Sequence, residues 1–251
     1  MRRSIEFELK SLNKAPWAAP WRETQTVAAW LRHACGEALR QQEISEEWID
    51  SYVLGHTAVE DYGHRLSFAP VASIGYAHSD AGIRRALIVE PPTATAADEE
   101  ALGLLEIKLS GWPLTDRGGK ARAVLAPLGD KSKVMPFYKR QARIWESVTP
   151  VVLHGYNSAR GRISLNKTDR LLRQAFEAAG FAESLTAEIT FQCAPLWAGT
   201  EGASAIRVPL HLAKWPRVHV RVEFRDGVEG PVLAGIGRHY GIGVFAARAS
   251  G

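Results

Sequence analysis

The sequence predicts an α+β protein built of two similar halves, and three observations lead there. Some runs alternate apolar and polar residues at period two, as half-buried strands do, while others place apolar residues three and four apart, as helices do. In the first half these runs come in the order β-α-β-β-α-β. In the second a β-α-β order returns with further strands after it. At 251 residues the chain can bury a sizeable core, either as one large body or as two units.

Each element has its own signal. Ile5, Phe7 and Leu9 alternate with Glu6, Glu8 and Lys10, which predicts an opening strand. A Pro- and Trp-rich connection over 16–21 leads to residues 24–41, where Val27, Trp30, Leu31, Ala34, Ala38 and Leu39 share a helical face. Ser45 is a fitting N-cap for a short helix over 45–54. Strand-like runs at 65–76 and 82–92 precede an acidic helix over 93–106 and a strand over 107–114. The second half opens with a Gly/Lys/Arg-rich loop at 117–122 and a basic segment running into a strand over 148–155. A helix from Thr168 to Ala179, with Leu172, Ala175, Phe176 and Ala179 on one face, stops at Gly180. Residues 185–195 and 217–227 alternate as strands, and a glycine-rich stretch and a last strand over 240–247 close the chain. The expectation is two ferredoxin-like units with antiparallel sheets, 1–115 and 116–251, the second carrying a C-terminal glycine-rich loop.

Composition narrows the class. No apolar run reaches the roughly 18 to 20 residues of a membrane helix, and the N-terminus alternates where a signal peptide would be apolar, so a cytoplasmic protein without membrane contact is expected. Cys35 and Cys193 form neither a disulfide framework nor a zinc spacing and read as small buried hydrophobes. Net charge is only +4, but residues 41–106 hold 12 acidic and 3 basic side chains, whereas 117–173 hold 13 basic and 3 acidic. The basic run contains Lys131, Lys133, Lys139, Arg140 and Arg143, a pattern that suits phosphates or a solvated face balanced by the acidic half.

The stretch "GPVLAGIGRHYGIGVF", 230–245, is the most unusual in the chain. Glycine permits positive φ and close backbone approach, so Gly235, Gly237, Gly241 and Gly243 provide a path along which N–H groups can face a phosphate. Arg238 would then contact the phosphate, and His239 or Tyr240 would stack on a base. The other reading is a glycine-rich hairpin at a twisted sheet edge. A dinucleotide-binding turn is a poor match, because no helix follows the glycines and no ribose-binding acid lies about 20 residues on. His219, in a row with Arg217, Arg221 and Arg225, suits a nucleic-acid-facing sheet surface, and Trp17 and Trp21 suit the protein surface.

Three stretches in order carry a family resemblance. "VLGHTAVEDYGHRLSFAPVASIGYAHSDAGIRRALIV", "WESVTPVVLHGY" and the glycine-rich stretch together resemble the processing subunit of type I-U (I-G) CRISPR systems, within the repeat-associated RNA-binding (RAMP) superfamily. The resemblance spans most of residues 25–246 and is to the C-terminal half of a subunit usually fused to a handle-binding half. It implies a precursor-crRNA endoribonuclease that needs no metal or cofactor, binds CRISPR repeat RNA and its crRNA product, and works beside other subunits of a type I surveillance complex. Such an enzyme lets the ribose 2′-OH attack the adjacent phosphate, which requires a base for the hydroxyl proton and cations for the phosphorane charge. Histidine suits the base. The resemblance places a catalytic histidine between the first helix and second strand, at His56, with His64 assisting beside Tyr62 and Arg65; His78 lies on a turn and His33 within a helix. Lys131 to Arg143 and the glycine loop would hold the RNA. The rival expectation is a noncatalytic crRNA-binding subunit on the same fold.

Overall fold

The computed structural model describes residues 2–56, 64–129, 132–159, 162–182 and 187–248. Its first sheet is organised around β1 (Ser4–Lys10), whose alternation buries Ile5, Phe7 and Leu9. On one side β1 pairs antiparallel with β3 (Ile83–Val89), which pairs in turn with β2 (Ser67–Ala72). On the other it pairs with β5 (Ala121–Pro127), and β4 (Pro113–Thr115) closes that edge, for an order of β2-β3-β1-β5-β4. Helices α1 (Thr24–Arg40) and α3 (Ala96–Lys108) cover one face, with Val27, Leu31, Leu102 and Leu105 packed on Ile5, Phe7 and Leu9. Between them lies a short α2 (Glu46–Ile49), capped by Ser45 as its sequence predicts.

The second sheet holds β6 (Gln141–Ser147), β10 (Glu188–Gln192), β11 (Arg217–Glu229) and β12 (Phe245–Ala247) in the order β10-β11-β6-β12, with β7 (Val151–Val152) on β11. Helix α4 (Met135–Lys139) precedes it, and a separate hairpin, β8 (Ser158–Ala159) with β9 (Arg162–Ile163), leads into α5 (Leu165–Glu177). Leu172 and Phe176 of α5 pack on Trp145, Val220, Phe224 and Phe245. The mixed fold with two antiparallel sheets is the expected α+β, ferredoxin-like architecture.

Some boundaries differ from the expectation, each for a physical reason. Helix α3 runs through Lys108 and Leu109 is fully buried beneath its end, so the strand expected over 107–114 shrinks to Pro113–Thr115. Ala123 and Leu125 are buried in β5, so pairing carries the first sheet to Pro127, past the expected 115/116 division. The second sheet opens with β6 inside the basic run. The strand expected over 148–155 is reduced to β7, since Pro150 cannot donate to a ladder and both Val148 N and Thr149 N donate to the Val244 carbonyl.

A third core cluster joins the sheets. Ala69 and Val71 of β2 and Leu87 of β3 share it with Trp21, Val148, Val152, Leu233 and Val244, so β2 is buried on both faces. The glycine-rich stretch is part of this seam and almost wholly buried. A Cβ at Gly241 (φ +78°) would lie 2.7 Å from Pro70 Cδ and 3.0 Å from Thr24 Cγ2; one at Gly235 (φ +89°) would lie 2.8 Å from the Val152 oxygen. Those glycines allow close packing. The Thr149 hydroxyl, 2 % exposed, accepts from Gly243 N and Val244 N and donates to Gly241 O at 3.2 Å.

Three single-residue expectations are corrected here. His219 is fully buried: its Nδ1 lies 3.2 Å from Ser147 Oγ and its Nε2 2.9 Å from the Glu201 carbonyl, so it faces no solvent. Trp21 is buried and donates from Nε1 to the Val148 carbonyl, bridging the halves. Cys193 is exposed, and only Cys35 is a buried thiol.

Two outcomes follow from these contacts. Thr149→Val keeps the shape but strands two buried N–H groups, and should cost about 2 to 4 kcal/mol of unfolding free energy by urea titration. Burial holds His219 below its ordinary pKa, with the Glu201 and Ser147 contacts opposing. Below about pH 6.5 the unfolded chain therefore takes up a proton that the folded protein refuses, and stability falls by at most about 1.4 kcal/mol per pH unit for this residue. The stability difference between pH 7.5 and 5.5 should accordingly be smaller in His219→Gln than in the natural protein.

Candidate functional site

At one end of the seam, two arginines from distant parts of the first half meet a ring from the glycine-rich stretch. Helix α2 passes into a π-turn, Asp50–Leu54, that ends at Gly55 with φ +69°. The Arg65 guanidinium lies against that glycine so closely that a Cβ there would be 1.6 Å from Nη1. Arg32 of α1 brings its Nη1 to 3.5 Å from the Leu54 carbonyl. Both guanidinium carbons lie 5.4 Å from the centre of the Tyr240 ring, and the His211 ring stands 5.6 Å from it at 67°.

The electrostatics of this partly buried group are unusual. Arg65 is 8 % exposed, and neither its Nε nor that of Arg32 has a hydrogen-bond partner. Among the described residues no carboxylate forms an ion pair with Arg32, Arg65 or His211. Burial lowers the Arg32 pKa, the Arg65 charge lowers it further, and Tyr240 opposes. Arg238 is brought down to about 10, by burial first and then by Arg65 and Arg2. His211 is lowered by burial, then by Arg65 and Arg32. Partly desolvated cations that repel one another and leave N–H groups unmatched are costly, and an anion bound by them would offset part of that cost. The planar fork of arginine matches phosphate oxygens two at a time.

His56 stands beside this group, directly after Gly55. Its side chain is 64 % exposed, its N–H donates to the Asp50 carbonyl at 2.8 Å, and its Nδ1 lies 3.9 Å from Asp50 Oδ1. His33, next to Arg32 on α1, has a pKa lowered by burial, then by Arg32, with His56 also within electrostatic reach. His64 has a different setting. Its Nε2 lies 3.1 Å from Oδ2 of Asp98, a buried carboxylate that also accepts from Thr95 N in the capping box of α3. The structure thus puts His56 directly after the glycine that Arg65 packs on and ties His64 to the start of α3; Tyr62 lies outside the described residues.

The other expected contacts are distributed differently. Lys131 lies outside the described residues and Lys133 is exposed. Lys139 pairs with Glu6, Arg140 donates to the Ala247 carbonyl and covers the Phe137 ring, and Arg143 pairs with Glu223 at 3.5 Å. These side chains are engaged within the protein. Gly235, Gly237 and Gly241 are buried packing positions. His239, 4 % exposed with Nδ1 at 3.1 Å from both Ser67 Oγ and the Leu66 carbonyl, is closed to a stacking base, and Arg238 is buried behind Tyr240. Of the loop's expected contacts, Tyr240 is the half-exposed one.

Sequence reasoning missed Arg32, Arg65 and His211 as a group. One local sign existed: Arg32 has Ala28, Ala29, Cys35 and Gly36 three and four residues away, so its helix supplies no carboxylate. Among the described residues, no three histidine, cysteine or carboxylate side chains gather to ligate a metal. No described helix is long and apolar enough to cross a membrane.

Gly55→Ala should displace Arg65 and cost roughly 1 to 2 kcal/mol from its positive φ alone. Pyrophosphate should raise the melting temperature of the natural protein and have little effect on Arg65→Ala. An equal rise in both would place the anion elsewhere.

The fold recurs in a solved RAMP protein that binds different RNA substrates, 11% identical, with a TM-score of 0.50 over 99% of this chain and 100% of that one. A CRISPR-associated protein Cas6 structure aligns over 99% of this chain and 100% of its own, at 14% identity and a TM-score of 0.45. Among curated protein sequences none matches the chain. The model of the family described as CRISPR-associated protein, GSU0054 family, matches residues 13–247, nearly the full length, and the chain belongs to that family.

Proposed function

We propose that this CRISPR-associated protein is a metal-independent endoribonuclease that cuts CRISPR repeat RNA and retains the crRNA product. The observation that carries this reading is an accessible histidine, His56, next in sequence to the glycine that buried Arg65 packs on, with half-buried Arg32 on the same turn, neither arginine having a carboxylate partner among the described residues. Membership of a CRISPR-associated family and a shared fold with a RAMP protein that binds RNA substrates support the substrate class.

The chemistry follows from that placement. His56 takes the proton of a ribose 2′-OH, whose oxygen attacks the adjacent phosphorus. The bond to the 5′ oxygen breaks, that oxygen leaves with a proton from solvent, and the products are a 2′,3′-cyclic phosphate and a 5′-OH. Arg32 and Arg65 hold the phosphate and stabilise the charge that builds on its oxygens. His64, tied to Asp98, positions the start of β2 and hence Arg65. Product retention suits a subunit of a type I surveillance complex, the setting the family resemblance implies.

One observation favours the noncatalytic crRNA-binding reading. The His56 ring is mostly exposed and 3.9 Å from Asp50, beyond hydrogen-bond distance, so among the described residues no side-chain hydrogen bond orients it. Both readings are separated by labelled repeat RNA in EDTA, with and without a 2′-deoxy at the cleaved position. His56→Ala should slow cutting about 10²- to 10⁴-fold while affinity stays within a few-fold. Tight binding with no cutting by the natural protein would establish the binder instead.

A further inference from the structure

A second group of rings lies next to the His211 turn and has no part in the reaction above. Tyr156, 56% exposed, follows β7 in the loop leading to β8, and Trp215 lies in the turn before β11. The Leu153 N–H to Pro216 carbonyl bond, at 3.0 Å, holds these two loops together. Tyr156 stands 5.2 Å from Trp215 at 51°, and His154 stands 5.8 Å from it at 87°, so the rings diverge instead of stacking on one another. Lys214 places its Nζ 4.8 Å from the centre of the Trp215 ring.

This group is continuous with the arginine site. Trp215 and Tyr240 pack on the same core cluster, and His211, four residues before Trp215, faces Tyr240. Like Arg32 and Arg65, the cation here, Lys214, forms no ion pair with a carboxylate among the described residues. An exposed aromatic ring backed by a second ring and a cation suits a flat heteroaromatic group with a phosphate attached, because stacking is indifferent to base identity and the cation takes the charge.

We propose that Tyr156, Trp215 and Lys214 form a stacking platform for one unpaired nucleotide of the RNA, next to the nucleotide whose phosphate Arg32 and Arg65 hold. The proposal rests on the RNA reading of the arginine site. It adds a preference: RNA with a single-stranded flank binds more tightly than the same duplex with a blunt end.

The test uses the full chain and two non-cleavable 2′-deoxy-blocked RNAs, one blunt and one with a single-stranded flank carrying 2-aminopurine. Binding should quench the 2-aminopurine. Tyr156→Ala should weaken the flanked RNA roughly 5- to 150-fold and leave the blunt one unchanged, while Tyr156→Phe restores the affinity. Lys214→Ala, also at an exposed position, should weaken the flanked RNA by a smaller factor. Equal affinity of Tyr156→Ala and the natural protein for the flanked RNA, with Arg65→Ala still defective, would overturn the platform and leave the arginine site standing. Loss of self-association in Tyr156→Ala with unchanged RNA affinity would overturn it in favour of a protein contact. Failure of the natural protein to bind either RNA would remove the RNA reading and the platform with it.

Discussion

Contact between the glycine-rich stretch and β2 sets the position of nearly everything else of interest. At Gly241 the backbone comes within van der Waals reach of Pro70, Thr24 and Ala28, and at Gly235 within reach of Val151 and Val152. Only glycine combines the positive φ and the lack of a Cβ that such an approach requires. Thr149 fastens the stretch from the second sheet, and Trp21 fastens the first half to Val148. With the stretch held on both sides, the Tyr240 ring comes within 5.4 Å of both the Arg32 and the Arg65 guanidinium carbons.

Elsewhere the chain pairs its charges readily. Arg84 has Asp80, Arg173 has Asp169 and Arg40 has Glu37 and Glu46. Acidic side chains are plentiful in residues 41–106, which border the arginine group, yet Glu46, Asp80 and Asp98 are engaged with other partners. The Arg65 charge lowers the Arg32 pKa, so the two cations repel each other. Stability would favour a carboxylate at this place. Among the described residues none stands there, and the proposed phosphate site rests on that.

Much of the architecture was legible because it rests on local periodicity. The alternation of Ile5, Phe7 and Leu9 and the helical face of Val27, Leu31 and Leu39 survive in the structure as read. Strands β5 and β6 were obscured because Arg122 and Arg143 made their neighbourhoods look like solvated basic loops. The glycines were recognised as special, but φ freedom does not say what approaches the backbone; the neighbours proved to be Pro70 and Val152. Sequence alone sets His64 to assist His56, and it does not show Asp98, far along the chain, against which the His64 ring lies. Arg32, Arg65 and Tyr240 converge only through the tertiary fold.

A structure of the protein with 2′-deoxy-blocked repeat RNA would test this site most directly. The expected complex has one phosphate bonded to the guanidinium groups of Arg32 and Arg65, beside the Tyr240 ring, with His56 within hydrogen-bond reach of the blocked 2′ position. RNA lying instead along Lys133, Arg143 and Arg225, with Arg32 and Arg65 making no phosphate contact, would contradict it.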